Sequence, residues 1–485
     1  MMRLSTLLPE LKTHSPIEIL GITDDSRKAQ KGDLFIAVSG EHYSATQMVT
    51  DLDGSEVAAV LCDEFERVPK SQHPLFKVSN LAARKGELAS RFYGDPSYQM
   101  NVTAVTGTNG KTSCSQFIAT AMDVKCGVIG TLGYGIPPDL KDEGLTTPDA
   151  ISLQKILLEL KVSGAEAVCL EASSHGLVQD RLNGVAIRTA VFTNITRDHL
   201  DYHQTFDAYK AAKQILFGWP GLQIAVLNLD DDFSAQLKAG LDPTVRCLTY
   251  SAKNPNADVY CTSITFELTG MSALVYTPWG LVELRSSLIG DFNLSNLLAV
   301  IGVLGGYGMG SQDISERIAK IKNVVGRMDQ LPLEKGAVVI IDYAHTPNAL
   351  ENALRAARVH CAGKLWCLMG CGGDRDVGKR PMMGEIASRL SDVTIVTDDN
   401  PRTEASSEII EHILAGIVAG ADVQVEANRH KAIQLALESV HAGDLVLIAG
   451  KGHETYQEIM GVRHNFSDYE EVERYQKQYH GQRGA

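Results

Sequence analysis

Long apolar runs are missing from this sequence. No stretch approaches the roughly 18 consecutive apolar residues that a membrane-spanning helix needs. The N-terminal segment MMRLSTLLPELK has too short an apolar part, and becomes charged too early, to be a signal peptide. We therefore expect a cytoplasmic protein that has no membrane partner.

Paired cysteines are also missing. The nine cysteines, an odd number, are scattered through mostly apolar runs, which is typical of reduced thiols in a core. Cys367 and Cys371 are close together in CLMGC, but no second pair accompanies them. A zinc site is therefore not expected.

Positive charge is in deficit, because the chain carries a formal net charge of −14 at pH 7. Such a chain has no long-range field that would attract a phosphate backbone, so nucleic acid is not an expected partner. An anionic ligand would need local cationic groups instead.

The chain of 485 residues is too long for one core. From residue 100 onward, apolar β-branched runs alternate with helical stretches, which predicts an α/β fold with parallel sheets. The stretch near residues 250–290 alternates apolar and polar residues like an antiparallel meander. We predict three domains, with boundaries near residues 99 and 327: residues 1–99, 100–327 and 328–485.

Polar residues follow nearly every apolar run of the predicted sheets. Because parallel sheets bind ligands outside the carboxyl ends of their strands, these side chains should collect at two such edges. They are Lys111, Glu171, His199, Asp342, Arg375, Arg402 and Lys451.

The segment AVTGTNGKTS, residues 104–113, has the order strand, glycine loop, Lys-Thr and helix. Its loop, GTNGKT, is shorter than the usual G-x-x-x-x-G-K-[ST] pattern, since Val105 stands where the first glycine belongs. Backbone N–H groups and the helix N-terminus can still hold a phosphate there. Lys111 would reach the β- and γ-phosphates and Thr112 a magnesium ion, so the segment predicts nucleotide binding.

Acids and an imidazole follow the next two predicted strands. Glu171 ends one strand, and Asn194, Asp198, His199 and Asp201 follow another. Alone, each would more often cap a turn, but beside a phosphate loop they indicate a Mg²⁺ site.

Lys213, in the segment DAYKAAKQILF, lies next to an apolar half-turn. A bare ammonium packed against a core is costly unless it is paired, whereas a lysine that reaches the surface from a helix end is not. Composition leaves both readings open.

Ten segments, in order over roughly residues 20–470, resemble those of the Mur ligases of bacterial cell-wall synthesis. The segments are GTNGKT, EASSHGLVQDR, TNITRDHLDYH, YKAAKQILF, GDFNLSNLLA, VGRMD, DYAHTPNAL, GCGGDRDVGKRP, DDNPR and AGKGHE. The resemblance implies a small N-terminal α/β UDP-binding domain, a central P-loop ATPase domain with a parallel sheet, and a C-terminal Rossmann-like domain. It also implies an ATP-dependent amide ligase that works through an acyl phosphate.

The resemblance implies the binding residues as well. For ATP they are Gly107, Thr108, Asn109, Gly110, Lys111, Thr112, Ser113, Asn293, Asn296, Arg327 and Asp342. For UDP-N-acetylmuramoyl-L-alanyl-D-glutamate they are Ser26, Thr146, Thr147, Ser173, Gln179 and Arg181, with Glu41, His42 and Tyr43 as further uridine-side candidates. Two Mg²⁺ ions are expected on Thr112, Glu171, His199 and Lys213, the last as a carbamate derived from CO₂. The implied catalytic residues are Lys111, Glu171, His199 and Lys213.

The segment DNPR resembles the branch of the family that adds meso-2,6-diaminopimelate. The implied contacts are Arg375, Asp399, Asn400, Pro401, Arg402, Gly450 and Glu454. A guanidinium pairs bidentately with the far carboxylate of diaminopimelate, which lysine lacks. Bound lysine would leave that guanidinium unpaired, at a cost of about 2–5 kcal/mol.

Several alternatives stay open at this point. A sister ligase could add lysine or a dipeptide, a folate polyglutamate-adding enzyme shares the ATPase core, and a nucleotide-dependent binding module would have no ligase chemistry. Arg402 could form an interdomain salt bridge, and Asn293 and Asn296 could cap a helix. We expect a monomer, with a hinge at VVGRMDQ.

Overall fold

The computed structural model describes residues 1–11, 16–40, 44–52, 54–63, 71–323, 326 and 328–483. Arg327, Glu41, His42 and Tyr43 lie outside the described residues. The chain forms two compact units: residues 1–257 with 299–308, and residues 258–298 with 309–485. The predicted division into three domains stays a prediction.

The N-terminal part of the first unit contains a sheet of order β3-β4-β5-β6 in which all pairs are parallel. β4 and β5 are buried along their whole length, as strands covered on both faces must be. The strands are β1 (Met2–Arg3), β2 (Glu18–Ile19), β3 (Gly21–Thr23), β4 (Asp33–Ala37), β5 (Ala59–Cys62) and β6 (Leu75–Lys77). The helices are α1 (Leu4–Leu7), α2 (Ala45–Thr50) and α3 (Leu81–Phe92).

The larger sheet of the first unit has the order β10-β9-β8-β11-β7-β12-β13-β14. It is parallel from β8 to β14, and β9 and β10 are antiparallel additions. Its strands are β7 (Asn101–Thr106), β8 (Cys126–Gly130), β9 (Gly133–Ile136), β10 (Asp139–Lys141), β11 (Ala167–Glu171), β12 (Ile187–Phe192), β13 (Ile224–Asn228) and β14 (Arg246–Ser251). Its helices are α4 (Lys111–Ala121), α5 (Ala150–Val162), α6 (Ser174–Val178), α7 (Leu200–His203), α8 (Phe206–Gln214) and α9 (Phe233–Ala239).

Three close contacts join the N-terminal part to α5 and to the turn at Asn183. Ile151 of α5 packs into the same core as Leu81 and Leu88 of α3. A Cβ atom at Gly86 would lie 2.1 Å from the carbonyl oxygen of Asn183, so only glycine fits there. The Asn183 amide donates to the Ala83 carbonyl at 3.0 Å, which fixes α3 against this turn.

The second unit begins with an antiparallel meander, as the sequence predicts, and a largely apolar helix follows it. The meander is β15 (Val259–Glu267), β16 (Gly270–Thr277) and β17 (Gly280–Ser286), followed by α10 (Asp291–Gly306) and α11 (Ser311–Ile318). Residues 299–306 of α10 belong to the first unit, where Gly302 packs on Val226.

The remaining sheet has the order β18-β19-β23-β20-β21-β22 and is parallel except for β18. Apolar cores cover both of its faces. Its strands are β18 (Asp329–Pro332), β19 (Val338–Asp342), β20 (Leu365–Met369), β21 (Val393–Val396), β22 (Val423–Val425) and β23 (Leu445–Ala449), followed by the hairpin of β24 (Tyr456–Ile459) and β25 (Val462–Asn465). The helices are α12 (Pro347–Arg358), α13 (Lys379–Leu390), α14 (Ser406–Leu414), α15 (Arg429–Ser439) and α16 (Asp468–Arg483).

The predicted α/β class with parallel sheets is confirmed. None of the nine cysteines, which all lie in the described part of the chain, forms a disulfide, and six of them are buried. None of the helices in the described part of the chain has the length and apolar content that a membrane span requires.

Candidate active site

The predicted phosphate loop connects the end of β7 to the start of α4. Gly110 precedes the helix with φ +85°, a conformation that glycine adopts without strain. A Cβ atom at Gly107 would lie 1.9 Å from Oγ1 of Thr193, so the loop passes too close to β12 for any side chain. The Asn194 side chain accepts from the Asn109 N–H at 3.0 Å and donates to its carbonyl at 3.2 Å. The loop is therefore held in one shape from the neighbouring strand end.

Lys111 begins α4 and bends back over the loop. Its ammonium donates to the carbonyls of Gly107 at 2.9 Å and Thr108 at 3.0 Å. Burial lowers the pKa of Lys111, and the nearby carboxylates of Glu171 and Asp198 oppose this shift. The cation thus lies at the helix N-terminus, where a phosphate would also be favoured.

Glu171 ends β11 and is buried directly beside the loop. Its Oε2 accepts from the Thr112 hydroxyl at 2.9 Å, and its Oε1 accepts from the Thr131 N–H at 2.9 Å. The pKa of Glu171 is raised, because burial has the largest effect. The hydrogen bonds from Thr131 and Thr112 and the charge of Lys111 act in the opposite direction and are outweighed. The structure therefore brings Lys111, Thr112 and Glu171 together, as the spacing of the strands predicts.

Lys213 lies on α8 with only 1% of its surface exposed. Its Nζ donates to the Gly107 carbonyl at 2.8 Å and lies 4.4 Å from the centre of the Tyr209 ring. The pKa of Lys213 is lowered well below its usual value. Burial is the larger cause, and the charge of Lys111 is the second. Of the two readings of this lysine, the structure therefore supports the buried amine and not the lysine that reaches the surface.

His199 caps α7 with a left-handed backbone, φ +51°, and its ring is about half exposed. Its Nε2 lies 3.6 Å from Asp198 Oδ2, and its ring centre lies 5.0 Å from that of His175. Within the described residues, no hydrogen bond or ion pair joins His199 to Glu171 or to Lys213. The predicted set of metal ligands is therefore assembled only in part.

The described residues contain no group of three or more His, Cys, Asp or Glu side chains that could hold a metal ion by itself. The hydroxyl of Thr112 and the carboxylate of Glu171 are nevertheless in contact beside the loop. These are hard oxygen donors, which suit Mg²⁺ when phosphates and waters complete its coordination. The residues present therefore fit Mg²⁺ that arrives with a nucleotide.

Four of the six residues predicted for the muramoyl substrate form one hydrogen-bonded chain next to Glu171: Thr147, Ser173, Gln179 and Arg181. The Thr147 hydroxyl donates to the Glu171 carbonyl at 2.6 Å and accepts from the Ser173 N–H at 3.1 Å. Arg181 donates to the Thr147 carbonyl at 2.8 Å and to Gln179. Two members are outside this chain: Thr146 pairs with Thr131 at 3.0 Å, and Ser26 lies in a short 3₁₀ turn after β3.

Three residues predicted for ATP, namely Asn293, Asn296 and Asp342, lie in the second unit. The Asn293 amide donates to the Ile289 carbonyl at 2.8 Å, and the Asn296 amide donates to Asn293 Oδ1 at 3.1 Å, so both make local helix contacts. Asp342 ends β19 and accepts from the N–H of Met328 at 2.7 Å. Met328 is the residue that follows Arg327 in the sequence. Nucleotide contacts for these residues stay predictions.

The DNPR turn follows β21 and packs against the β24–β25 hairpin. The Arg402 backbone is left-handed, with φ +50°, and is held by its N–H to the Glu458 carbonyl at 3.0 Å. The guanidinium donates to the Gly373 carbonyl at 2.7 Å through Nη1, and its Nε lies 3.6 Å from Glu458 Oε2. Its Nη2 makes no hydrogen bond within the described part of the chain. Arg402 therefore pairs inside its own unit, and one of its donor groups has no partner among the described residues.

Arg375 lies on the loop that follows β20. This loop is hydrogen-bonded to the DNPR turn and to Thr403 after it. The Gly373 N–H donates to the Asn400 carbonyl at 2.9 Å, and the Thr403 hydroxyl donates to Asp374 at 2.8 Å. A Cβ atom at Gly372 would contact the side chains of both Arg402 and Arg375. The two predicted arginines therefore lie on adjoining loops.

Sequence reasoning missed several residues that shape the site. Thr131 follows β8, and its position just past a strand end could have identified it. Tyr209 lies one helical turn before Lys213, and its hydroxyl reaches the Thr108 hydroxyl at 3.0 Å. His203 and Ser174 form a buried pair at 2.9 Å, for which the sequence carries no local signal.

Comparison with known proteins gives matches along nearly the whole chain. Residues 105–304 match the Mur ligase middle domain, and residues 326–452 match the Mur ligase, glutamate ligase domain. The UDP-N-acetylmuramoyl-L-alanyl-D-glutamate–2,6-diaminopimelate ligase of Pseudomonas aeruginosa is 47% identical over 478 residues, 98% of each chain. The enzyme of the same name from Pseudomonas syringae pv. tomato is 47% identical over 456 residues, 93% of each chain.

A solved structure of a UDP-N-acetylmuramoyl-L-alanyl-D-glutamate–2,6-diaminopimelate ligase resembles this protein in fold. The match has a TM-score of 0.82 at 35% sequence identity and covers 99% of each chain. The similarity therefore includes the N-terminal part, the phosphate loop and the DNPR turn.

Proposed function

Because the chain belongs to the Mur ligase family, we propose that it joins meso-2,6-diaminopimelate to UDP-N-acetylmuramoyl-L-alanyl-D-glutamate. The reaction consumes ATP and forms an amide bond in a precursor of peptidoglycan. We place it in the cytoplasm, where ATP is available as co-substrate. The relatives that are 47% identical bear the name of this activity.

One observation of the structure carries the catalytic part of the proposal. Lys111, Glu171 and Lys213 surround the same loop, whose backbone carbonyl at Gly107 accepts from both lysines. An anion-binding helix end, a buried carboxylate and a buried amine at one strand edge suit phosphoryl transfer better than simple nucleotide binding.

The first step activates a carboxylate. The oxygen of the terminal glutamate carboxylate attacks the γ-phosphorus of ATP, and the bond from this phosphorus to the bridging oxygen breaks, so ADP leaves. Both reactants are anions, and the Lys111 ammonium offsets their repulsion at the start of α4. Thr147, Ser173 and Arg181, which form one hydrogen-bonded chain beside Glu171, would orient the substrate.

The second step forms the amide. The neutral amine of diaminopimelate attacks the acyl carbon, the C–O bond to phosphate breaks, and the amine loses one proton as inorganic phosphate leaves. Arg375 and Arg402 would hold the far carboxylate of the diamino diacid, and Glu454 its ammonium. Arg402 Nη2, which has no partner in the described residues, supports this assignment.

Thr112, Glu171, His199 and Lys213 would hold two Mg²⁺ ions. When bound, Mg²⁺ neutralises phosphate charge and so lowers the cost of bringing two anions together. Lys213 would serve as a carbamate: its neutral amine forms an N–C bond to CO₂ and releases one proton. The low pKa that burial gives this lysine supports the modification, since only the neutral amine reacts.

The test is a product assay on the purified protein. With ATP, Mg²⁺ and the muramoyl dipeptide nucleotide, we expect phosphate release only when meso-diaminopimelate is added, and a product heavier by diaminopimelate minus water in mass spectrometry. Phosphate release without any amino acid, or no condensed product, contradicts the proposal.

A further inference from the structure

We propose that Lys451 is a positioning residue of the amino-acid site, which fixes the side chains of Asn400 and Glu454. This inference rests on the proposed function, because those two side chains are predicted diaminopimelate contacts. Lys451 lies two residues after the end of β23 and has no exposed surface, so it cannot itself be a surface contact for the ligand.

Four oxygen atoms surround the Lys451 ammonium. It donates to the Tyr456 carbonyl at 2.8 Å and to Asn400 Oδ1 at 3.0 Å. Glu454 Oε2 lies at 3.4 Å and Asp399 Oδ1 at 3.5 Å. A buried ammonium is stable only where oxygens replace its water in this way. Lys451 therefore joins the DNPR turn to the loop that carries Glu454.

The same ammonium determines which way the Asn400 amide faces. Both Lys451 Nζ and the Glu458 N–H, at 2.9 Å, point at one atom of this amide, and neither group can accept a hydrogen bond. The atom must be the amide oxygen. The amide nitrogen consequently faces Glu454 Oε2, to which it donates at 2.9 Å. Its second hydrogen has no partner in the described chain.

The two carboxylate oxygens of Glu454 differ in their contacts. Oε2 is held by Asn400 and Lys451, whereas Oε1 receives no hydrogen bond from the residues that the structure describes. One ammonium also faces two carboxylates here, those of Asp399 and Glu454. A ligand ammonium at Oε1 would balance the second negative charge. Lys451 thus presents Glu454 and Asn400 to such a ligand in a fixed orientation.

The experiment measures steady-state kinetics of the full-length protein with Lys451→Met, a change that keeps length and removes charge. We expect KM for meso-diaminopimelate to rise roughly thirtyfold or more, because a buried charge pair loses one member. The kcat and the KM for ATP should stay near those of the unchanged protein. Lys431→Met, at an exposed position on α15, is the matched control and should change none of these values.

A double variant tests whether Lys451 acts through Glu454. In Lys451→Met with Glu454→Gln, KM should be no higher than in the worse single variant, since both changes remove the same contact. Multiplying effects, or an unchanged KM in Lys451→Met with only a lower melting temperature, overturn the positioning role. If the unchanged protein shows no dependence on diaminopimelate, the proposed function fails first and this inference with it.

A crystal structure of the unchanged protein with diaminopimelate is the second measurement, which does not depend on a variant that folds. We expect Glu454 Oε1 to contact the ligand ammonium while Oε2 keeps Asn400 and Lys451. A ligand that contacts Lys451 directly, or that binds away from Glu454, contradicts the inference.

Discussion

Lys213 places a primary amine where water hardly reaches it. The amine donates a hydrogen bond to the Gly107 carbonyl and lies over the Tyr209 ring. A protonated lysine in this position is opposed both by burial and by Lys111. Both effects shift the balance toward the neutral amine, and its conversion to a carbamate would replace an unfavourable cation with an anion that suits a metal ion.

Lys213→Ala should lower kcat about a hundredfold, which is the usual cost of one electrostatic group in an active site. A short carboxylate such as acetate or formate should restore part of the activity, because it can occupy the space of the carbamate. Lys210→Ala on the same helix is the control, since Lys210 lies against Phe206 and Asp207 near the surface. An unchanged kcat in Lys213→Ala contradicts the assigned role.

The carbamate should depend on pH in a predictable direction. The pKa of Lys213 lies below its usual value, so its neutral fraction grows as pH rises through that lowered pKa and is lost as pH falls below it. With ¹³CO₂, the carbamate signal in the ¹³C NMR spectrum should therefore strengthen with rising pH and be missing in Lys213→Ala. A signal that is the same in both proteins would show that Lys213 is not its source.

Buried cations fix the helices and loops around the DNPR turn. Arg380 donates to Glu404 at 2.8 and 2.9 Å, and Glu404 lies two residues after the turn. Arg429, at the start of α15, donates twice to Asp468 of α16 at 2.8 Å and once to the Ala449 carbonyl at the end of β23. These contacts hold the segments near the DNPR turn in place, and so stabilise the strained backbone conformation of Arg402.

Arg429→Met should lower the free energy of unfolding by about 3–5 kcal/mol, because it leaves Asp468 buried and unpaired. The double change with Asp468→Leu should recover part of that loss. Urea unfolding measures both. The control is Arg355→Met, which breaks an exposed pair with Glu351 on α12 and should have little effect. Equal losses in the single and double variants would contradict this account of the pair.

Strands and helices were predictable because their signals are local. The apolar run of DVTIVTDDNPR predicts β21, observed at Val393–Val396, and the polar residues after it follow the carboxyl end of that strand. The contacts of Tyr209 and Lys451 were not predictable in this way. Tyr209 contacts Thr108, which is 101 positions away in the chain, and Lys451 contacts Asn400, which is 51 positions away. Only tertiary packing brings these side chains together.

Across the whole molecule, each unit carries a different part of the predicted chemistry. The phosphate loop and the residues predicted to bind the muramoyl substrate belong to the first unit, and the DNPR turn belongs to the second. Binding of a ligand to the native state alone raises the stability of the protein by mass action. Nucleotide binding can therefore be tested apart from catalysis.

A non-hydrolysable ATP analogue with Mg²⁺ should stabilise the protein by about 2.7 kcal/mol at a hundredfold excess over its Kd. Lys111→Met should lose most of this stabilisation in thermal unfolding, since the cation at the helix N-terminus is gone. Lys155→Met, at an exposed position on α5, should keep it. Equal stabilisation of the Lys111 variant and the unchanged protein would rule out the assigned phosphate contact.

The most direct test of the proposed function is the ratio of kcat/KM for meso-diaminopimelate to that for lysine, in the unchanged protein and in Arg402→Ala. A guanidinium that bound lysine leaves without the far carboxylate costs about 2–5 kcal/mol, so the unchanged protein should prefer diaminopimelate by roughly thirtyfold to several thousandfold. Arg402→Ala should lose most of this preference through KM, while Arg355→Ala should keep it. Equal use of lysine and diaminopimelate by the unchanged protein would contradict the account.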